Sequence, residues 1–233
     1  MAGKGGKGGA GQDITVNNQG SITTKGKQSS AIYALSAGGA AGDGGSSTGV
    51  IVSLGGRGGE SGNGGKVSIT NTGRLNTSGD ESHVILAQSI GGSHGRLNTN
   101  NNYELGSGGQ LDGNDSNAAS VEINNTGLVS AQGNAVGSMA QSIGGGGGNG
   151  GGAFGFVSLG GGAGSSGNAG QVKVDNSGTI VTSGQVASSA LVLQSIGGGG
   201  GYGGKASGAA SGIPMVTIGG KGGNGGNANE ITL

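Results

Sequence analysis

The chain has 233 residues, of which 65 are Gly, 9% are Asp, Glu, Lys or Arg and 2% are aromatic. That is about four times the usual share of glycine, but with one Pro and no strict Gly-X-Y period collagen is excluded. Lys+Arg and Asp+Glu balance at 11 each, and Cys is absent; there is no basic stripe of the kind nucleic acid requires, no disulfide, and no apolar run near the roughly 18 residues of a membrane helix.

At the start, Met1 is followed by Ala-Gly-Lys-Gly-Gly, which is no signal peptide and reads as an initiator on an excised fragment. Lys4, Lys7, Lys25 and Lys27 form a mild basic cluster, read as a solvated end. The stretch from Gly8 to Ile14 fits one nonapeptide of the calcium-binding β-roll. Such a roll needs consecutive copies to complete each ion's ligand shell. The equivalents of Asp13 are Lys66, Ser120, Gln171 and Glu230, so no calcium or other metal is expected.

The first strand phrase runs Ile14-Thr-Val-Asn-Asn-Gln-Gly20 and returns at Val67–Gly73, Val121–Gly127 and Val172–Gly178, with a fifth copy begun at Ile231. Its Val-x-Ile alternation has the period of a strand. Ile69, Ile123 and Val174 should therefore stack inside. The Asn-x-Gly that ends it predicts a turn, in which Asn bonds the local backbone and Gly takes φ > 0. This singles out Asn18, Asn71, Asn125 and Asn176 with Gly20, Gly73, Gly127 and Gly178. A second short strand follows, as in Leu75-Asn-Thr77, then a turn at Ser78-Gly79, Gln132-Gly133 or Ser183-Gly184. The third strand carries Ser36, Ser89, Ser142 and Ser195, spaced by a constant 53 residues. Gln88, Gln141 and Gln194 precede three of them, with Leu35 in the first repeat. After the serine come a Gly tract and a Val-x-Leu phrase: Val52-Ser-Leu54, a degraded Tyr103-Glu-Leu105, Val157-Ser-Leu159 and Val216-Thr-Ile218.

These phrases divide the chain into four repeats of about 53 residues, near 13–65, 66–119, 120–170 and 171–229, plus the first strand of a fifth at 230–233. Stopping inside a repeat leads to the expectation of a longer parent chain. One repeat cannot bury its own apolar face, but stacked repeats can. The expected fold is all-β, a parallel β-solenoid (β-helix) in which each strand pairs with its copy and like amides form hydrogen-bonded rows. The Gly tracts, including 144–152, 197–204 and 219–226, allow two forms. They are loops or tight coils on one face, or polyglycine-II helices with three residues per turn. Unpaired strand edges at 14–16 and 231–233 lead to an expected head-to-tail association.

Several motifs that suggest chemistry are weak. Gly91-Gly-Ser93-His94-Gly95 matches the nucleophile elbow, but no helix follows. His83 and His94 lack a clustered carboxylate and read as surface residues. Asp112 and Asp115 lie in a 111–117 segment that reads as a solvated turn. The stretch from Gly199 to Lys205 spells a P-loop, but Ala206 stands where Ser or Thr would hold magnesium. A row of Thr24, Thr77 and Thr182 would suit an ice-binding surface, but Ala131 interrupts it. A β-helix enzyme acting on polysaccharide would need two or three acids in one groove, whereas the acids here are scattered.

The phrases Gln-Ser-Ile-Gly-Gly-Gly-Gly-Gly at 141–148 and 194–201, Val-Ser-Leu-Gly-Gly at 52–56 and 157–161, and Asn-Ser-Gly-Thr-Ile-Val-Thr-Ser-Gly at 176–184 resemble the passenger repeats of large proteobacterial autotransporters. The resemblance implies type V secretion, an outer-membrane β-barrel outside this sequence, exposure at the bacterial surface and an adhesive role. A cell-surface or biofilm-matrix ligand is then the expected partner, with no cofactor and no enzymatic activity.

Overall fold

The computed structural model describes residues 3–49, 52–94, 100–102, 105–107, 116–184, 188–208 and 215–233. Tyr103 and the acids Asp112 and Asp115 lie outside them. The described chain is all-β, and every sheet is parallel. The sequence predicts three strands per repeat, whereas the structure has five. Each strand pairs with its own copy one repeat away, which gives five sheets.

Sheet 1 contains Ile14–Asn18, Val67–Asn71, Val121–Asn125, Val172–Asn176 and Ile231–Thr232. Sheet 2 contains Ser21–Thr24, Arg74–Thr77, Leu128–Ala131 and Thr179–Thr182. Sheet 3 contains Ile32–Ala37, Ile85–Ile90, Ser138–Ile143 and Leu191–Ile196. The two additional sheets are short. Sheet 4 begins with Thr48–Gly49 and continues through Asn100–Asn102, Ala153–Phe154 and Ala206–Ser207; sheet 5 runs from Val52–Leu54 through Leu105–Ser107 and Val157–Leu159 to Val216–Ile218. In sheet 5 Leu105 pairs with Val52 and Val157. Aligning Tyr103 with Val52 by phrase is thus wrong by two residues.

The core lies among the inward faces of sheets 1, 2 and 3. Alternation along each strand delivers it. Val67, Ile69 and Asn71 point in, while Ser68 and Thr70 point out. Ile69, Ile123 and Val174 stack inside as expected, joined by Leu75, Val129 and Ile85. Sheet 5 inverts this pattern. Val157 and Leu159 are exposed, and Ser158 between them is buried, its Oγ donating to the Ser207 carbonyl at 3.0 Å. That strand lies beyond the Gly tracts, outside the apolar core.

The Gly tracts are hydrogen-bonded at every third residue. Gly5, Gly8 and Gly11 donate to the carbonyls of Arg57, Glu60 and Asn63, each at 2.8 Å. Gly39, Gly42 and Gly45 donate to Gly9, Gly6 and Gly3, so outgoing and returning tracts run antiparallel. Gly62, Gly59 and Gly56 continue the array by donating to Gly39, Gly42 and Gly45. The same pattern returns where Gly198, Gly201 and Gly204 donate to Gly167, Gly164 and Gly161. Spacing this close requires the absence of side chains: a Cβ on Gly59 would meet the Gly6 carbonyl oxygen at 1.9 Å. Loose loops are therefore not the form of these tracts.

Turns after sheet 2 differ slightly in length. The third repeat has one residue fewer between Ala131 and Ser138 than the second has between Thr77 and Ile85. The shorter turn places Gly133 at φ 101°, and the longer one holds Gln28 and Glu81 at φ 55° and 56°. This left-handed conformation costs a side-chain-bearing residue roughly 1–2 kcal/mol. The Gln28 amide offsets part of that cost by donating to the Glu81 carboxylate at 2.7 Å.

Candidate functional site

Polar rows running along the stack are the most ordered chemistry in the molecule. In the first, Asn18 Nδ2 donates to Asn71 Oδ1, Asn71 to Asn125 and Asn125 to Asn176, each at 2.7 Å. Each Nδ2 also donates to the carbonyl two residues on, at Gly20, Gly73, Gly127 and Gly178. Both amide hydrogens are thereby used, one along the row and one inside the turn. Asn71 and Asn125 are fully enclosed, so an amide without these partners would bear a desolvation cost of about 1–3 kcal/mol.

The turn glycines are required for a reason other than the expected one. None of Gly20, Gly73, Gly127 and Gly178 has positive φ. What excludes a side chain is the neighbouring coil. A Cβ on Gly73 would meet the Gly20 oxygen at 2.0 Å, one on Gly127 the Gly73 oxygen at 2.0 Å, and one on Gly178 the Gly127 oxygen at 2.2 Å. Positive φ occurs one turn later, at Gly133.

The glutamine row forms as predicted: Gln88 donates to Gln141, and Gln141 to Gln194, on the outward face of sheet 3. Leu35 pairs with Gln88 and begins the row without an amide. The four serines face inward and bond differently. They clamp successive returning tracts rather than one another. Ser36 Oγ donates to Gln12 O and accepts from Gly65 N; Ser142 donates to Ala119 O and accepts from Gly170 N. Ser195 donates to Gly170 O and accepts from Asn229 N, and Ser89 accepts from Ala119 N.

A second asparagine row escaped the sequence reading. Asn63 Oδ1 accepts from Asn117 N at 2.9 Å, Asn117 from Asn168 N at 2.7 Å, and Asn168 from Asn227 N at 2.7 Å. The signal was present, since each of these Asn residues lies four positions before a sheet 1 strand. It was hidden by the many Gly-Asn pairs of the tracts.

The motifs that suggested chemistry are occupied structurally. Gly201 and Gly204, within the P-loop-like stretch, spend their N–H groups on Gly164 and Gly161. Thr24, Thr77, Ala131 and Thr182 do align, but Thr77 is fully buried and donates to the Ser82 carbonyl at 2.7 Å. His94 is not a surface residue: it is buried, with Nδ1 3.2 Å from Gly146 O and 3.5 Å from Ser61 Oγ. Ser61 is buried as well. His83 Nδ1 accepts from Val136 N at 3.1 Å. Gly95, which completes the elbow pattern after Ser93, lies outside the described residues.

Several charges among the described residues pair near the surface. Lys7 lies 3.1 Å from Glu60, Lys27 3.9 Å from Glu81 and Lys66 3.2 Å from Glu122. Exposed pairs of this kind contribute at most about 1 kcal/mol each. The Asp175 carboxylate, 2.7 Å from Lys173, holds the Lys173 ammonium above its ordinary pKa through that hydrogen bond and its charge, with a further contribution from Glu122. Among the described residues no three His, Asp or Glu converge as metal ligands, and Asp13 Oδ1 accepts from Lys66 N. EDTA is therefore expected to leave far-UV circular dichroism and the melting temperature unchanged. A chelator-induced loss of structure would overturn the reading of Asp13 and of the 111–117 segment as metal-free.

The chain matches no family model, no curated protein and no solved structure.

Proposed function

We propose that this chain is a structural segment of a bacterial surface protein, a stalk-like passenger of the autotransporter type, with no catalytic role. In this reading sheets 1, 2 and 3 close around their shared core as a parallel β-solenoid, and the Gly tracts form a side arm of polyglycine-II helices. The three-residue bonding period and the glycine-only contacts support the arm. The observation that carries the functional reading is that the polar rows are spent on the next repeat. Asn18 through Asn176 bond one another, Gln88 through Gln194 do the same, and Ser36 and Ser142 clamp successive tracts. A catalytic groove needs a polar cluster that one layer has and the others lack. Here the Asn row runs through four successive layers and the Gln row through three, and these rows set spacing and register.

Such a stalk extends by about 4.8 Å per repeat. Its place at the cell surface rests on the resemblance of the Gln-Ser-Ile-Gly and Val-Ser-Leu-Gly phrases to passenger repeats. The test is to fuse the chain to an outer-membrane β-barrel in a Gram-negative host. Surface labelling should find it outside the cell, folded and protease-resistant, with increased adhesion or clumping. Retention in the periplasm, or release of reducing ends from polysaccharide by the purified chain, would overturn the reading.

A further inference from the structure

The three sheets around the core present very different outer faces. On sheet 1 the outward residues are polar or charged, among them Thr70, Glu122, Lys173 and Asp175. Sheet 2 turns out Thr23, Arg74, Asn76 and Ser130, with Leu128 and Val181 as isolated apolar residues among them. On sheet 3 the outward row that begins at Tyr33 continues through Leu86, Met139 and Val192. A second apolar row holds Ile90, Ile143 and Ile196. The glutamines run between these rows, and no charged side chain faces out from any of the four strands. These residues are not hidden: Tyr33 is 59% and Ile196 43% exposed, and Leu86 and Met139 are half-buried, like Ser68 and Thr70 on sheet 1.

We propose that this face binds a second copy of the chain, sheet 3 against sheet 3, in a lateral two-fold contact. Three arguments select this occupant. First, both apolar rows repeat at the strand spacing, about 4.8 Å. An identical sheet has the same pitch and meets its partner equally at every layer; an irregular protein surface does not. Second, Gln88 and Gln141 already donate along the stack. Covering them leaves that hydrogen bond intact, so the usual cost of drying an amide is reduced. Third, the face has neither repelling charges nor the Lys and Arg that would draw it to anionic lipid.

Area sets the strength. Four strands of six residues present about 400 Å², from strand spacing and rise, against the roughly 800 Å² that each partner contributes to a stable complex. The contact is therefore weak for this chain, at the transient end of protein interfaces, and it strengthens with every repeat added. It is independent of where the protein resides, so failure of surface display would leave it untouched.

The chain has no Cys, so single labels are clean. Met139→Cys carrying pyrene should show excimer emission that rises with concentration. Asn124→Cys, outward on sheet 1, should show none. Sedimentation should give a reversible monomer–dimer equilibrium, weakened at least tenfold by Val192→Lys with unchanged melting. Should Val192→Lys misfold, Gln141→Lys reads the same contact. A monomer up to about 1 mM, equal excimer at Asn124, or association abolished by Asn124→Lys but not by Val192→Lys would overturn the proposal. So would co-sedimentation with phosphatidylcholine vesicles in place of dimerisation.

Discussion

Gly127→Val is expected to destabilise the fold by about 3 kcal/mol or more, at the upper end for overpacking. The added Cβ would lie 2.0 Å from the Gly73 carbonyl oxygen and 3.0 Å from Asn71 Nδ2. Neither is the free end of a flexible side chain, because Gly73 O accepts from Leu128 N and Asn71 is held in its row. Two coils must separate, and the Asn71–Asn125 bond is strained with them. The informative companion is Gly20→Ala. Gly20 is the first of the same series, and a Cβ there meets only Asn18 Oδ1, at 4.0 Å. Its cost should stay within about 0.5 kcal/mol. If backbone φ were the constraint, the two substitutions would be similarly damaging. Thermal or urea unfolding of the pair separates the explanations, and equal losses would reject crowding between coils.

Asn125→Leu is expected to cost about 2–3 kcal/mol. Leucine has similar bulk but supplies no partner. Asn71 Nδ2 loses its acceptor and Asn176 Oδ1 its donor, while the Gly127 carbonyl loses the turn bond. The stranded amide hydrogen of the buried Asn71 costs about 1–3 kcal/mol; Asn176 is exposed and Gly127 O still accepts from Thr179 N, so these two lose less. Asn18→Leu, at the start of the row, removes one inter-coil bond and takes the donor from the buried Asn71 Oδ1, so it should cost about 1–3 kcal/mol. A double substitution with Asn71→Leu should be less destructive than the sum of the single changes, since the mutual bond is lost only once. Unfolding midpoints read all four variants. Strict additivity, or a mild effect of Asn125→Leu, would show that the row is dispensable.

Much of this architecture was readable in the spacing of Asn71, Asn125 and Ser142, because parallel pairing of like with like turns sequence repetition directly into contact. The inward set Ile69, Ile123 and Val174 followed from alternation alone. Reasoning from local conformation misled at Gly127, where the constraint comes from the next coil and has no signature in the turn's own residues. It also misled at His94, a polar residue amid glycines that the neighbouring tracts enclose. Sheet 4 went unread because Ala153–Phe154 is too short to show a period; the Val-x-Leu phrase of sheet 5 was visible as a repeat but not as a strand, because Val157–Leu159 is short and turns its apolar residues outward. The role of Ser36 and Ser142 was only half visible. Their regular spacing was plain, but their partners, Gln12 and Gly170, lie in tracts whose path the sequence does not specify.

The pairing of every strand with its copy also decides how such an array answers to force. Bonds between two neighbouring coils lie side by side across five sheets and the Gly tracts, so a load spread over a whole coil is shared among all of them. A load on one end of the polypeptide meets only the outermost coil and peels it away before the next is touched. Each coil then lengthens from about 4.8 Å of stack to roughly 180 Å of chain, the extended reach of its residues. If the repeats close as the proposed solenoid, the array is stiff when loaded over a whole repeat, and yields repeat by repeat, in steps that follow each repeat's length, when one end is drawn.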